Sequence, residues 1–201
     1  MIINSVFPDA IGVVKNTEVS LDKEKLMSTI KWKSDSSGQG FFEQSQTNLQ
    51  EYDEWKPLAI WIQKKAREFW LSLGWNCDEL WIPQFWMNSM TSGGNISAHR
   101  HSNSMISGVY YFKTTEYSGG TIFESTKNPL ECMIQTTLSH TTEYTMGKFL
   151  VPAKEDHLVL FPSYMMHYSE TNKQPTDRYS LAVNLLPTTL GKENHFNLIN
   201  F

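Results

Sequence analysis

Residues 158–186, LVLFPSYMMHYSETNKQPTDRYSLAVNLL, decide how the chain is read. Leu158–Phe161 and Tyr179–Leu186 are short apolar runs of Leu, Val and aromatic residues, and Pro, Ser and Asn punctuate the polar stretch between them. That combination predicts two strands joined by a loop. Outward from here the same texture reaches back to Glu79, with runs at Leu80–Met87, Met105–Phe112, Gly120–Phe123 and Phe149–Val151. Such runs, without helical repeats between them, predict an antiparallel sandwich or barrel.

Upstream the pattern changes to a helical one. Trp55, Leu58, Ile62, Ala66, Phe69 and Leu73 recur at spacings of three and four, so residues 53–73 are predicted to form one amphipathic helix. Pro57 suits its first turn and Gly74 its end. A shorter helix is predicted over Ser20–Lys31, with Ser20 as N-cap and Asp22 in the first turn. Val6, Phe7, Ile11, Val13 and Val14 form an apolar opening before it. Ser34–Gly40 after it reads as a turn or mobile loop, with a lid among its uses.

The bulk numbers bound the function classes. With 201 residues, 40% of them hydrophobic and 19% charged, the chain has the composition of an ordinary globular domain. The net charge of -4 advertises no polyanion-binding surface, and Lys64-Lys65-Ala66-Arg67 falls on the predicted helix as a solvated face. Nucleic acid is therefore not expected as a partner. No run approaches the roughly 18 to 20 apolar residues that span a bilayer. Residues 1–15 lack a basic leader followed by a long apolar stretch, so neither a signal peptide nor a membrane is expected. The expected location is cytoplasmic, the host cytoplasm for a phage-encoded chain. Cys77 and Cys132 make no metal-type pair and read as reduced core thiols.

Chemistry concentrates in a few residues. His99 and His101 lie two apart before the Met105–Phe112 run, and strand parity sends i and i+2 to one face. His167 follows Leu158–Phe161 at a Pro-containing corner. Three imidazoles converging on one point suit a transition metal and leave positions open for substrate and oxygen. Arg178 comes eleven residues after His167 and opens an otherwise apolar strand. A charge pointing inward there needs a buried anionic partner, and a guanidinium fork matches a carboxylate. The plainer reading is a solvated strand-end Arg paired with Asp177 or Glu170. His140, His157 and His195 read as surface or packing residues. Glu124 and Glu131 are candidates for a metal carboxylate but are expected at the surface. Tyr110 is expected to face away from Tyr111, and Gly119-Gly120 is a turn, not a phosphate loop.

Taken in order, His99-Arg100-His101, Ser107-Gly108-Val109-Tyr110-Tyr111, Phe161-Pro162-Ser163 with His167, and Arg178-Tyr179-Ser180 resemble the 2-oxoglutarate/Fe(II)-dependent oxygenase superfamily. Within it the chain is similar to small bacterial and phage oxygenases related to prolyl hydroxylases. The resemblance covers Leu80 to Leu186, about half the chain. It implies a mainly β fold with a helical flank. The core would be a double-stranded β-helix (a jelly roll, cupin-like) packed against N-terminal helices. The chain would be one domain, with residues 1–78 as flank, 79–190 as core and 191–201 as tail.

The resemblance also implies roles. His99 and His167 match the two iron imidazoles, His101 takes the place usually held by an aspartate, and Arg178 matches the residue that grips the distal carboxylate of 2-oxoglutarate. Ser180 and Tyr111 would support that grip. Ser107 and Asn184 share strand parity with them and are candidates for the same pocket, while Trp86 and Asn88 share a face on the incoming strand. The implied cofactors are Fe(II), 2-oxoglutarate and O2, with ascorbate a further candidate. The implied reaction is hydroxylation of a peptidyl (prolyl) or small-molecule substrate with release of succinate and CO2.

The departure is His101, since an imidazole removes one negative charge from the usual two-His, one-carboxylate site. The sequence also allows His101 to stand beside the metal without binding it, or a pair made by His101 and Asn103. Two other functions compete: a three-His cupin-type dioxygenase without 2-oxoglutarate, and a non-catalytic metal-binding jelly-roll module.

Overall fold

The computed structural model describes residues 2, 8–33, 41–77, 79–125, 139–190 and 196–197. Val6, Phe7, Ser34–Gly40, Glu131, Cys132, His195, most of Ser125–Thr145 and most of the 191–201 tail lie outside these residues.

In chain order the elements are β1 (Gly12–Lys15), α1 (Lys23–Ser28), β2 (Trp32–Lys33), β3 (Phe42–Ser45), α2 (Lys56–Ser72), β4 (Leu80–Met90), β5 (Ile106–Lys113), β6 (Thr121–Glu124), β7 (Lys148–Val151), β8 (His157–Pro162), β9 (Met166–Ser169), β10 (Arg178–Pro187), β11 (Thr189–Leu190) and β12 (Phe196–Asn197). All six predicted strand runs are present: four are extended by one to three residues, and β5 and β6 are each displaced one residue towards the C-terminus. The major sheet has the order β1-β8-β5-β10-β4-β3-β2, the minor sheet β7-β6-β9, and every pair in them is antiparallel.

Side chains alternate across β10, and this alternation sorts core from site. Leu181, Val183 and Leu185 join Tyr110, Phe112, Phe85 and Met87 on the face that packs against α2. Trp61 meets Tyr110 edge-on, with ring centroids 6.2 Å apart, so Tyr110 does face away from Tyr111. Trp55, Leu58, Ile62 and Ala66 are fully buried in this layer, whereas Phe69 and Leu73 are half-buried. Gly74, at φ 84°, takes the left-handed turn that ends the helix. Cys77 is buried in the same core. The opposite face of the major sheet meets the minor sheet through Tyr111, Val159, Phe161, Phe123, Val151 and Met165.

The N-terminal region departs from the predicted helical flank. Gly12–Lys15 pairs with β8, and β3 pairs with β4 while β2 pairs with β3, so this region completes both edges of the major sheet. Helix α1 is shorter than Ser20–Lys31, and its N-cap is Asp22, not Ser20. The Asp22 carboxylate accepts the Lys25 N–H at 3.0 Å, satisfying a donor that the first turn leaves open. His167 sits within strand β9, not at a corner. Among the described residues, no helix is long and apolar enough to cross a membrane.

Candidate metal centre and co-substrate cavity

Two chain segments bring the imidazoles together. His99 and His167 face each other as an isolated antiparallel bridge, each N–H donating to the other's carbonyl at 2.9 and 3.1 Å. His101 lies outside any regular strand, and its N–H donates to the Ser163 carbonyl at 3.1 Å, which fixes the loop beside the bridge. The ligand-capable nitrogens of His99, His101 and His167 all lie within 4.8 Å of one another.

Ring orientation is set from behind. His99 Nδ1 lies 2.8 Å from the Ser97 carbonyl and His167 Nδ1 lies 2.9 Å from the Met165 carbonyl. A carbonyl only accepts, so each Nδ1 carries the proton and each Nε2 presents a lone pair. Nε2 of His101 stands 3.2 Å from Nε2 of His167. Burial, with the neighbouring His167 and His99, brings His101 down to about 4, and burial brings His167 down to about 4. Both rings are therefore neutral at pH 7, the form that binds a metal. Phe161 and Phe123 back His167 and keep water from its far side.

A cavity of about 370 Å³ opens in front of the three rings, within the size range of small-molecule sites. Its floor is the inward face of the major sheet, where register aligns Gln44, Asn88, Ser180 and Tyr111 as one rung across β3, β4, β10 and β5. All four line the cavity, as do Trp86 and Arg178. A larger hollow of about 460 Å³ lies behind Phe123 and Met165, but it holds none of the three imidazoles and no arginine.

Arg178 is 2% exposed. Its Nη1 donates to the Ser118 carbonyl at 2.8 Å and its Nη2 to the Met90 sulfur at 3.0 Å, a weak acceptor. Its Nε is buried with no hydrogen-bond partner, and among the described residues no carboxylate reaches ion-pairing distance. The plainer pairing fails on geometry: the Asp177 carboxylate accepts from the Tyr179 hydroxyl and the Glu170 carboxylate from the Gly120 N–H. Burial pulls the Arg178 guanidinium below its ordinary value, while Tyr111 and then Glu170 act on it electrostatically in the opposite direction. The turn at Gly119, φ 77°, carries the Ser118 carbonyl to it, and a Cβ on Gly120 would stand 2.2 Å from the Val151 carbonyl oxygen.

The other sequence candidates divide. The Tyr111 hydroxyl meets Thr121 Oγ1 at 2.8 Å beside the cavity, and burial raises its pKa. Ser180 lines the wall. Ser107 and Asn184 do not line it: Ser107 Oγ donates to Asn184 Oδ1 at 3.0 Å, and Asn184 Nδ2 donates to Gln84 at 2.8 Å, a buried network one rung further on. Asn103 is exposed in a turn at φ 55°. Glu124 pairs with Lys148 at 3.1 Å, His140 is exposed, and His157 opens β8 away from the three rings. Sequence reading missed Thr121, Met90, Phe42 and Gln44. For Gln44 no local signal existed, because its place depends on β3 pairing with β4.

A jelly roll that presents imidazole lone pairs to one point, with an uncompensated guanidinium in the same cavity, is built for a metal and a small carboxylate. Comparison with known proteins gives the family. The model described as "Putative 2OG-Fe(II) oxygenase" matches residues 84–184, half of the chain, and the chain belongs to that family. It is thus an enzyme of the 2-oxoglutarate-dependent oxygenase class. Among curated proteins, no sequence matches.

Solved structures share the fold. One is the non-haem alpha ketoglutarate dependent epimerase SnoN from nogalamycin biosynthesis, 13% identical, covering 90% of this chain and 77% of its own, with a TM-score of 0.64. HygX from Streptomyces hygroscopicus, solved with nickel, 2-oxoglutarate and hygromycin B, is 12% identical over 90% of this chain and 84% of its own, TM-score 0.57. A Pseudomonas putida prolyl-4-hydroxylase is 9% identical over 88% of this chain and 92% of its own, TM-score 0.54.

Proposed function

We propose that His99, His101 and His167 hold Fe(II), and that Arg178 takes the distal carboxylate of 2-oxoglutarate with Ser180, Tyr111 and Asn88 around it. The enzyme then hydroxylates a peptidyl, including prolyl, or small-molecule substrate and releases succinate and CO2. The buried guanidinium without a carboxylate, in the same cavity as three converging imidazoles, carries this reading. Iron and 2-oxoglutarate, when bound, supply the activation of O2, with ascorbate as an accessory reductant. The chain's part is binding and exclusion. Carbonyls behind His99 and His167 hold the lone pairs in place, Phe161 and Phe123 shield the ring of His167, and Arg178 offers an unpaired fork to the co-substrate. Ser107 and Asn184 support the floor as neighbours of the pocket. The pairing of β1 and β3 into the same sheet as β5 and β10 supports one domain over residues 1–201.

Anaerobic titration with Fe(II), then with 2-oxoglutarate, tests the assignment through the weak metal-to-ligand charge-transfer band in the visible. Iron binding without that band would overturn it. The all-imidazole donor set favours one other reading, a cupin-type dioxygenase that works without 2-oxoglutarate. It leaves Arg178 without a task, and oxygen uptake that ignores 2-oxoglutarate is its distinguishing result.

A further inference from the structure

Resting on that reading of the site, we propose that Met90 is a positioning residue for the co-substrate. Its thioether fixes the direction of the Arg178 guanidinium through an uncharged contact and so leaves the positive charge open to a carboxylate.

Register places the two side chains together. Met90 ends β4 directly opposite Arg178 on β10, and Phe42 on β3 faces it from the other side. Residues so opposed on antiparallel strands share a face, with Cβ atoms about 4.5–5.5 Å apart. Met90 is 1% exposed, and its sulfur accepts from Arg178 Nη2 at 3.0 Å. The Ser169 hydroxyl approaches the same sulfur at 3.8 Å from β9. The backbone is held as well. Asn172 is fully buried, and its Nδ2 donates to the Met90 and Thr176 carbonyls, both at 2.9 Å, which ties the loop before β10 to the end of β4. A Cβ on Gly94 would come within 2.9 Å of Met90 Cγ, so the segment after β4 closes tightly on the thioether. A methionine side chain, ordinarily adaptable, is confined here.

Sulfur at this place has a chemical consequence. A hydrocarbon would give Nη2 no acceptor and leave the guanidinium to the Ser118 carbonyl. A carboxylate would form a fork with the guanidinium and answer its charge before any ligand arrived. A thioether accepts weakly and carries no charge. Among the described residues no carboxylate pairs directly with Arg178, Glu170 acting on it only through space. The orientation is thus fixed while the charge is unspent.

Two 2-oxo acids separate this role from packing. 2-Oxoglutarate carries the distal carboxylate that Arg178 takes in the proposed complex, and pyruvate lacks it. Each is titrated anaerobically into the Fe(II)-loaded wild type, Met90→Leu, Met90→Gln and Met90→Glu, reading the charge-transfer band. Met90→Leu is expected to weaken 2-oxoglutarate binding about threefold to tenfold, the cost of immobilising a loosened side chain. Met90→Gln restores a neutral acceptor and is expected to stay within about twofold of the wild type. Met90→Glu supplies an internal counter-ion and is expected to weaken binding at least about 100-fold. Pyruvate binding should not follow this order. Met90→Leu binding 2-oxoglutarate as the wild type does, or losing both acids equally, overturns the proposal. So do equal 2-oxoglutarate affinities in Met90→Gln and Met90→Glu, a comparison between side chains of one shape that stands even where Met90→Leu folds poorly. A wild type that takes pyruvate as tightly as 2-oxoglutarate, or shows no band with either, removes the underlying reading of Arg178 instead.

Discussion

Arg178→Met is expected to leave the ligand-free protein about as stable as before while destroying its hold on 2-oxoglutarate. Removing one partner from a buried ion pair costs about 3–5 kcal/mol, because the other charge is stranded. Here no carboxylate pairs directly with the guanidinium among the described residues, Glu170 acting on it only through space: Arg178 donates to the Ser118 carbonyl and the Met90 sulfur, and its Nε is unpartnered. Loss of the donor to Ser118 costs about 1 kcal/mol, offset by removal of a desolvated guanidinium. The net change in ligand-free stability is then within about 1 kcal/mol of zero. The ligand-bound state differs, since a forked contact to a carboxylate consists of two charge-assisted hydrogen bonds worth about 1.5–3 kcal/mol each. Their loss weakens 2-oxoglutarate binding by roughly 10²- to 10⁴-fold. Urea denaturation of the metal-free protein gives the first quantity, and calorimetric titration of the metal-loaded protein gives the second. A variant that loses more than about 3 kcal/mol of ligand-free stability yet binds the co-substrate normally would show that the guanidinium is structural.

Other expected outcomes follow from single features. His101→Asp returns a carboxylate to the metal shell and should bind Fe(II) at least about tenfold more tightly than His101→Ala, measured by competition with a chelating indicator. Equal affinities would place His101 outside the shell. Asp22→Ala should cost about 1 kcal/mol as the loss of an N-cap, whereas Ser20→Ala stays within about 0.5 kcal/mol. Chemical denaturation reads both, and the reverse order would restore the cap to Ser20. Lys65 first and Lys64 second hold the Glu18 carboxyl down from its ordinary 4.5 to about 2. A depressed folded-state value means that this contribution to stability is present above pH 4.5 and is lost as pH falls towards 2. Glu18 is solvent-exposed, so the change is small. An NMR titration in which Lys65→Met leaves the Glu18 midpoint unmoved would contradict the contact.

Much was legible because it is written in local periodicity. Alternation and punctuation gave the strands β4, β5, β6, β7, β8 and β10, and spacings of three and four gave α2, because each pattern is fixed by the geometry of one segment. The order and spacing of His99, His101, His167 and Arg178 singled out the candidate site, although the strand parity invoked for His99 and His101 does not apply, since His101 lies outside any regular strand. The strands β1, β2 and β3 were not legible, since two to four residues at a sheet edge carry too little pattern to show without their partners. The cap of α1 was misplaced by two residues because Ser20 and Asp22 are both good cap residues. Only the bond from Lys25 N–H chooses between them.

Parity also has a limit, and Ser107 and Asn184 mark it. They share a face with Tyr111 and Ser180, yet pairing between β5 and β10 joins them to each other one rung beyond the cavity. Arg178 is the converse case. The sequence by itself determined that a cation opens an apolar strand and so demands an answer. Only the tertiary structure decided that neither Asp177 nor Glu170 pairs with it directly: their carboxylates accept from the Tyr179 hydroxyl and the Gly120 N–H. Likewise the sequence offered three imidazoles, and no carboxylate, for the positions that the resemblance assigns to the metal. Folding decided that they converge, because β9 lies against the segment holding His99, an antiparallel contact between residues 68 apart. Such contacts depend on register between distant segments, and register is set by how two whole sheets pack, which no local run of residues encodes.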